Sequence, residues 1–473
     1  MKSTRRLVLN PDRFFDPHPT VRTIGRKLYR SVKNLPIISP HGHVDPNIFV
    51  ENKPFSNPTE LFILPDHYIY RMLYSQGIPL ESVGIRPQDG SPCETDARKI
   101  WKLFGEHYYL FQGTPTRAWL DFEFSIVFGI KKRLTGKTAL QIYDEISEKL
   151  QKPAFRPRKL FERFKIAVLT TTDPATDALE AHKKIRASGW KGRVIPCFRP
   201  DGVTNPKAKN WRANIDVLGE RAGMEITSYR RYIEAIENRR SFFRSMGAVS
   251  TDHDVNLPSI RGLTEGEAER LFQKAMRGEA TNDDAQIFSG HILMEMARMS
   301  IEDGLVMQIH SGIERNHNRA IYERFGPDRG SDIPVSIDYT RGFRELLNKY
   351  GNDPRLTLIV FTVDESTYSR ELAPLAGHYP ALKLGPPWWF LDSIEGMKRY
   401  REMVTETAGI YNTVGFNDDT RAFVSIPARH DLSRRIDSNF LAGLVARHVI
   451  DMDQALEMGY DLANGLVKKA YKL

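Results

Sequence analysis

The segment "PIISPHGHVDP" (residues 36–46) ends an apolar run in two histidines, His41 and His43, with Asp45 just after them. In an extended chain, residues i and i+2 point to the same side. The two imidazoles could then meet at one point, as a metal ion requires. The plainer alternative is a polar turn after a strand, its bend set by the prolines and Gly42. On this segment alone both readings stand.

Other polar residues sit in the same kind of place, at the ends of short apolar runs. Arg199 and Asp201 close "RVIPCFRPD" (193–201), Asp252 and His253 close "GAVSTDHD" (247–254), and His310 closes "LVMQIHSG" (305–312). Asp364 and Glu365 end the next run, Trp388 and Trp389 the one after, and Asp418, Asp419 and Arg421 come after "NTVGFN" (412–417). Any one of them could be a hydrogen-bonded loop residue. Together they favour a single site. His41, His43 and Asp419 supply two imidazoles and a carboxylate, a set that suits one divalent ion, with Zn²⁺ the first choice. A second metal in such a site commonly needs a bridging lysine or carboxylate on the fourth strand. "VSTDHD" (249–254) has no lysine, so one metal is expected.

The elements that would position these residues are legible in the hydropathy. "LPIIS" (35–39), "KIAVLTTTD" (165–173) and the runs above are near-continuous and rich in β-branched residues. Such runs suggest strands buried on both faces, as in a parallel sheet. Helical patterns lie between them. "PATDALEAHKKIRASG" (174–189) follows Asp173 as a predicted N-cap and stops at Gly189, and "SIDYTRGFRELLNKYG" (336–351) ends the same way. About eight strands with intervening helices predict an α/β fold, a (β/α)8 TIM-type barrel, whose chemistry sits at the C-terminal strand ends. A doubly wound sheet is the alternative, but the first βα turn lacks its glycine fingerprint. Residues 47–164 read as a helical insertion after the first strand and residues 202–246 as a helical excursion after the third. The whole chain, residues 1–473, reads as a single barrel domain.

Composition narrows the class. The chain has 473 residues, 41% hydrophobic and 27% charged, as expected of an ordinary globular protein. No apolar run is long enough to span a membrane, and the stretch in "MKSTRRLVLNPDRFF" is too short for a signal peptide, so the cytoplasm is the expected location. The net charge of +9 is spread along the chain with only short runs such as "KKR" (131–133), which is a solvated surface rather than a nucleic-acid site. Cys93 and Cys197 form neither a disulfide framework nor a zinc spacing.

The His-x-His pair, His310 and Asp419 resemble the amidohydrolase superfamily. Within it the chain is similar to the uronate (glucuronate) isomerases over nearly its whole length. "DHYIYR" (66–71) resembles that family's Asp-His-Tyr-x-Trp-Arg, with Tyr70 in place of tryptophan. "TTDPATDALEAH" (171–182), "RPD" (199–201), "MQIHSGIERNHN" (307–318), "WWF" (388–390) and "NDDTRAFVSIPARHD" (417–431) resemble its further segments, in the same order. The chain departs from the family pattern at Ser39, Gly42 and Ala422, and one extra residue precedes Arg429–His430, which marks a divergent branch.

The resemblance implies interconversion of an aldose uronate and its 2-ketose through a cis-enediol: D-glucuronate with D-fructuronate, D-galacturonate with D-tagaturonate. It implies a carboxylate grip by Arg421, with Arg199 a second choice, because arginine binds carboxylates bidentately. Asp419 would touch both metal and sugar hydroxyls. Tyr68 would transfer the proton, with His67 polarising the carbonyl, although "HYIY" (67–70) also reads as a helix face packed in a core. His310 would be a fourth ligand or a donor to substrate, Trp389 would stack on the sugar or floor the pocket, and His253 is left without a role. The rival activity is a metal-dependent hydrolase with Asp419 as base. The expected partner is a small uronate, with neither nucleic acid nor membrane, and a homo-oligomer is left open.

Overall fold

The computed structural model describes residues 6–255 and 260–473. Residues 1–5, part of the basic N-terminus, lie outside the described residues. Seven strands form one parallel sheet whose order follows the chain: β1 (Ile37–Ser39), β2 (Ile166–Pro174), β3 (Val194–Arg199), β4 (Ser250–Val255), β5 (Val306–Ser311), β6 (Leu358–Thr362) and β7 (Leu382–Leu384). All residues of β5 and of β6 are buried, as the continuous apolar runs require when helices cover one face and the barrel interior the other.

The place of the expected eighth strand is taken by an irregular segment. Thr413 bridges Leu384 in parallel, and the Val414 amide donates to the Leu384 carbonyl at 3.1 Å. At the other end the His43 amide donates to the Thr420 carbonyl at 2.9 Å. The curled sheet is thereby joined back to β1. Regular pairing fails here because Gly415 and Asp419 both have positive φ, which turns the segment away from a straight ladder. The fold is the α/β barrel that the alternation of runs predicts.

Two sequence expectations need correction. The helix expected over residues 174–189 covers only Glu180–Ala187. The β2–β3 ladder continues to Pro174 opposite Arg199, so Asp173 lies in the strand and accepts from the Thr171 hydroxyl at 2.7 Å instead of capping a helix. Asp252 and His253 likewise lie within β4 rather than after it. The pleat therefore sends them to opposite faces.

Between β1 and β2, helices at Asn47–Glu51, His67–Tyr74, Ala97–His107, Pro115–Phe122, Ala139–Leu150 and Pro157–Arg163 pack around buried aromatics such as Phe62, Trp101, Phe104 and Phe124. Between β3 and β4 run Trp211–Ala222 and Tyr229–Ser245. No helix among the described residues is long and apolar enough to cross a membrane. Both cysteines are free thiols, Cys197 buried and Cys93 half-buried.

Candidate active site

A cavity of about 360 Å³ opens at the C-terminal ends of the strands, and His41, His43, His67, Tyr68, Arg199, His310, Trp389, Asp419 and Arg421 all line it. On its floor, Nε2 of His43 lies 3.1 Å and Nε2 of His41 lies 3.5 Å from Oδ1 of Asp419. A tetrahedral ion with bonds of about 2.1 Å would separate its ligand atoms by about 3.4 Å, so these spacings fit a zinc-sized cation. Among the described residues, Oδ1 of Asp419 is buried without a hydrogen-bond partner, as are Nδ1 of His41 and Nε2 of His310. Buried lone pairs of this kind are costly unless something engages them. Burial holds His41 down to about 4, so its imidazole is neutral at neutral pH. Burial works against ionisation of Asp419, but the surrounding imidazoles, His41 foremost, outweigh it and lower its carboxyl.

His310 stands over this floor. Its ring stacks on His41 with centroids 4.7 Å apart and on Phe361 at 4.1 Å. Nδ1 of His310 lies 2.6 Å from Oδ1 of Asp252. Asp252 stays ionised: burial opposes this, but His310, His41 and Arg199 together prevail. Against this carboxylate Nδ1 of His310 is the donor, which leaves Nε2 on the other side of the ring. His41, Asp252 and His310 form a second group of potential ligands that shares His41 with the first.

Arg199 lines the cavity but is already held by carboxylates, at 2.6 Å from Asp201 and 3.4 Å from both Asp252 and Asp254. Arg421 is at the rim and 37% exposed, with a single ion pair among the described residues, Nη2 to Oδ2 of Asp328 at 2.9 Å. Of the two, Arg421 is the freer to meet an incoming carboxylate.

The opposite wall comes from the insertion. Asp66 caps the helix His67–Tyr74 by accepting from the Tyr68 amide at 2.9 Å, which fixes where that helix starts. The Tyr68 hydroxyl donates to Oδ1 of Asp392 at 3.0 Å, and Nη1 of Arg429 donates to Oδ2 of the same carboxylate at 2.8 Å. Burial, and next the Asp392 charge, push the Tyr68 phenol well above its usual value. Nε2 of His67 is buried without a partner among the described residues, and the His67 ring meets Trp389 edge-on at 4.6 Å. Burial, helped by the nearby Arg421 charge, lowers His67 to about 3, so this imidazole is neutral.

Not every strand-end residue joins the site. His253 faces away from it, with Nε2 2.9 Å from the Thr251 hydroxyl, because it alternates with Asp252 along β4. Asp364 accepts from the Ser366 hydroxyl and Glu365 pairs with Arg399, both outside the cavity. Conversely, sequence reasoning gave no role to Asp392, Arg315 or Asp328, and quoted Arg429 only as part of a motif. Arg315 pairs with Asp254 and Asp332, and Asp328 with Arg421. These contacts join segments far apart in the chain, and no local spacing signals them. The one local trace is backbone strain. Asn316, Asp328 and Asp419, which line the cavity, all have positive φ, a conformation that collects at functional sites.

A family model described as glucuronate isomerase matches residues 19–467. The chain belongs to the glucuronate isomerase family. A uronate isomerase from Rhizorhabdus wittichii is 54% identical over 467 residues, covering 99% of each chain. The crystal structure of glucuronate isomerase from Caulobacter crescentus superposes with a TM-score of 0.97 at 50% identity, covering 99% of this chain and 98% of that one. A uronate isomerase structure from Thermotoga maritima gives a TM-score of 0.91 at 27% identity, covering 98% of this chain and 99% of that one. Membership of the glucuronate isomerase family thus extends over both the barrel and its helical insertion.

Proposed function

We propose that the chain interconverts D-glucuronate with D-fructuronate and D-galacturonate with D-tagaturonate. One observation carries this reading beside the family membership. A phenol, a neutral imidazole and a rim guanidinium share one cavity with the His41–His43–Asp419 floor. The open-chain sugar must lose a proton from C2 and gain one at C1. Arg421 receives the C6 carboxylate at the mouth, which sets the sugar chain along the cavity. Tyr68 is the proton-transfer group facing C1 and C2. His67, neutral, donates a hydrogen bond to the carbonyl oxygen without adding charge. Asp419 accepts from sugar hydroxyls, and Trp389 packs against the carbon chain. One divalent ion, Zn²⁺ first, would be held by His41, His43 and Asp419, with His310 beside it. When bound, it supplies a Lewis acid for an oxygen of the substrate. A cytoplasmic location belongs to the same reading.

A hydrolase would use the same floor, with Asp419 as base for a bound water, but has no need of Tyr68 or Arg421. The test is incubation of the purified protein with D-glucuronate and with D-galacturonate, followed by NMR. Appearance of the ketose supports the isomerase. No ketose from either sugar, together with turnover of an amide or lactone, would establish the hydrolase instead.

A further inference from the structure

We infer that Asp392, clamped by Arg429, is the positioning residue for Tyr68 and holds the phenol proton while Tyr68 carries the substrate proton. The inference rests on the reading of Tyr68 as the transfer group. It adds the partner that such a tyrosine needs.

A buried phenol is a poor base. Its usual value lies near 10, and burial raises it further, so a standing phenolate at neutral pH is not available. Tyr68 can accept a proton from carbon only if its own proton leaves at the same moment to a group already in contact. The geometry supplies one acceptor. The Tyr68 hydroxyl points at Oδ1 of Asp392 at 3.0 Å, and no other hydrogen bond of that hydroxyl is present among the described residues.

Asp392 is built to stay where it is. Its other oxygen takes Nη1 of Arg429 at 2.8 Å. Arg429 is 4% exposed, and Asp392 is its sole ion-pair partner among the described residues. Its guanidinium lies 3.7 Å from the ring centroid of Trp119 and also donates to the Ser425 hydroxyl and the Asp418 carbonyl. Four separate elements therefore converge behind one hydroxyl: the insertion helices His67–Tyr74 and Pro115–Phe122, the loop ahead of Ile394–Ala408, and the helix Ile426–Ala446. Because Arg429 binds the oxygen of Asp392 that does not receive the phenol proton, this hydrogen bond holds the carboxyl group in place in both its charged and its neutral form.

The proton balance closes. The C2–H bond breaks and its proton goes to the Tyr68 oxygen, while the phenol proton goes to Oδ1 of Asp392. The C2–H electron pair becomes the C1=C2 bond, and the C1=O π pair rests on O1. On the return, Asp392 gives its proton back to Tyr68, and the C1=C2 π pair takes the carried proton from Tyr68 to become the new C1–H bond. The O2–H electron pair forms the C2=O bond, and the O2 proton ends on O1. Tyr68 and Asp392 finish as they began.

The test is a double-mutant cycle on the metal-loaded enzyme, with Tyr68→Phe, Asp392→Asn and the double variant assayed on whichever uronate is turned over. Asp392→Asn should lower kcat by roughly 10²–10³-fold with KM within about twofold, since an acid–base pair acts on the chemical step. The double variant should be no slower than the slower single variant, because both act through one hydroxyl. Asp392→Glu keeps a carboxylate but shifts it, so it should recover part of the lost kcat. It also serves as the working variant if Asp392→Asn does not fold, then with kcat lowered and KM kept. Normal kcat in Asp392→Asn (or, failing that, in Asp392→Glu) beside a slow Tyr68→Phe overturns the inference while sparing Tyr68. Additive losses in the double variant overturn it by placing Asp392 elsewhere. Normal kcat in Tyr68→Phe removes both the inference and the role given to Tyr68.

Discussion

His43 meets the eighth-strand segment twice. Its amide donates to the Thr420 carbonyl at 2.9 Å, and its Nε2 lies 3.1 Å from Oδ1 of Asp419. Barrel closure and assembly of the candidate metal floor are therefore one event, made by residues from opposite ends of the chain. Because a backbone bond also holds the closure, loss of the imidazoles should not open the barrel.

That separation makes the first prediction. The His41→Ala/His43→Ala double variant should stay folded but lose its ion, against one ion per chain in the unaltered protein by elemental analysis. A chelator should lower the melting temperature of the unaltered protein, since ion bound only to the folded state stabilises it by about 4 kcal/mol at a thousandfold excess over Kd. The same chelator should leave the double variant's melting temperature unchanged. Two ions per chain, or an ion retained in the double variant, would contradict the assignment.

Tyr68 and Arg421 should separate kinetically. If Arg421 grips the C6 carboxylate equally in ground and transition states, Arg421→Met raises KM with kcat little changed. Its 37% exposure and its competing partner Asp328 place the effect at the low end, about 2 kcal/mol or roughly thirtyfold. Tyr68→Phe should instead lower kcat by about 10²–10⁴-fold with KM nearly unchanged. Steady-state kinetics of both variants decide the matter, and a normal kcat in Tyr68→Phe would make Tyr68 a packing residue.

His67 should show no titration near neutrality. Burial and the Arg421 charge both disfavour its protonated form, bringing it from the usual 6.5 down to about 3. Lowering of the folded value means that His67 stays neutral as pH falls through 6.5 and gains its proton only near pH 3. Nitrogen NMR of labelled imidazoles should show a neutral His67 ring from pH 8 to pH 5. A midpoint close to 6.5 would remove it as a charge-free donor.

Gly385, just past β7, governs the packing behind His310. A Cβ there would stand 2.4 Å from the Phe361 ring, and that ring stacks on His310 at 4.1 Å. Gly385→Ala should therefore press Phe361 into His310. The expected cost is about 1–3 kcal/mol of stability, read from denaturant melts, with a fall in activity. Unchanged stability and activity would mean that the ring yields freely.

The sequence by itself determined the elements and most of the site's inner residues. Continuous apolar runs set the strands, and their polar ends placed His41, His43, His310 and Asp419 at one end of the barrel before any contact was known. This works because strand ends in a parallel barrel converge by construction. What the sequence could not decide was where the pleat and the ladder stop. The β2–β3 pairing carries Asp173 into the strand, and the pleat of β4 turns Asp252 inward and His253 outward. Only the tertiary structure could bring Asp392 and Arg429 behind Tyr68, or set Arg199 among three carboxylates while leaving Arg421 at the rim. Such pairings depend on how distant helices pack against one another, and packing across the chain leaves no spacing in the sequence to read.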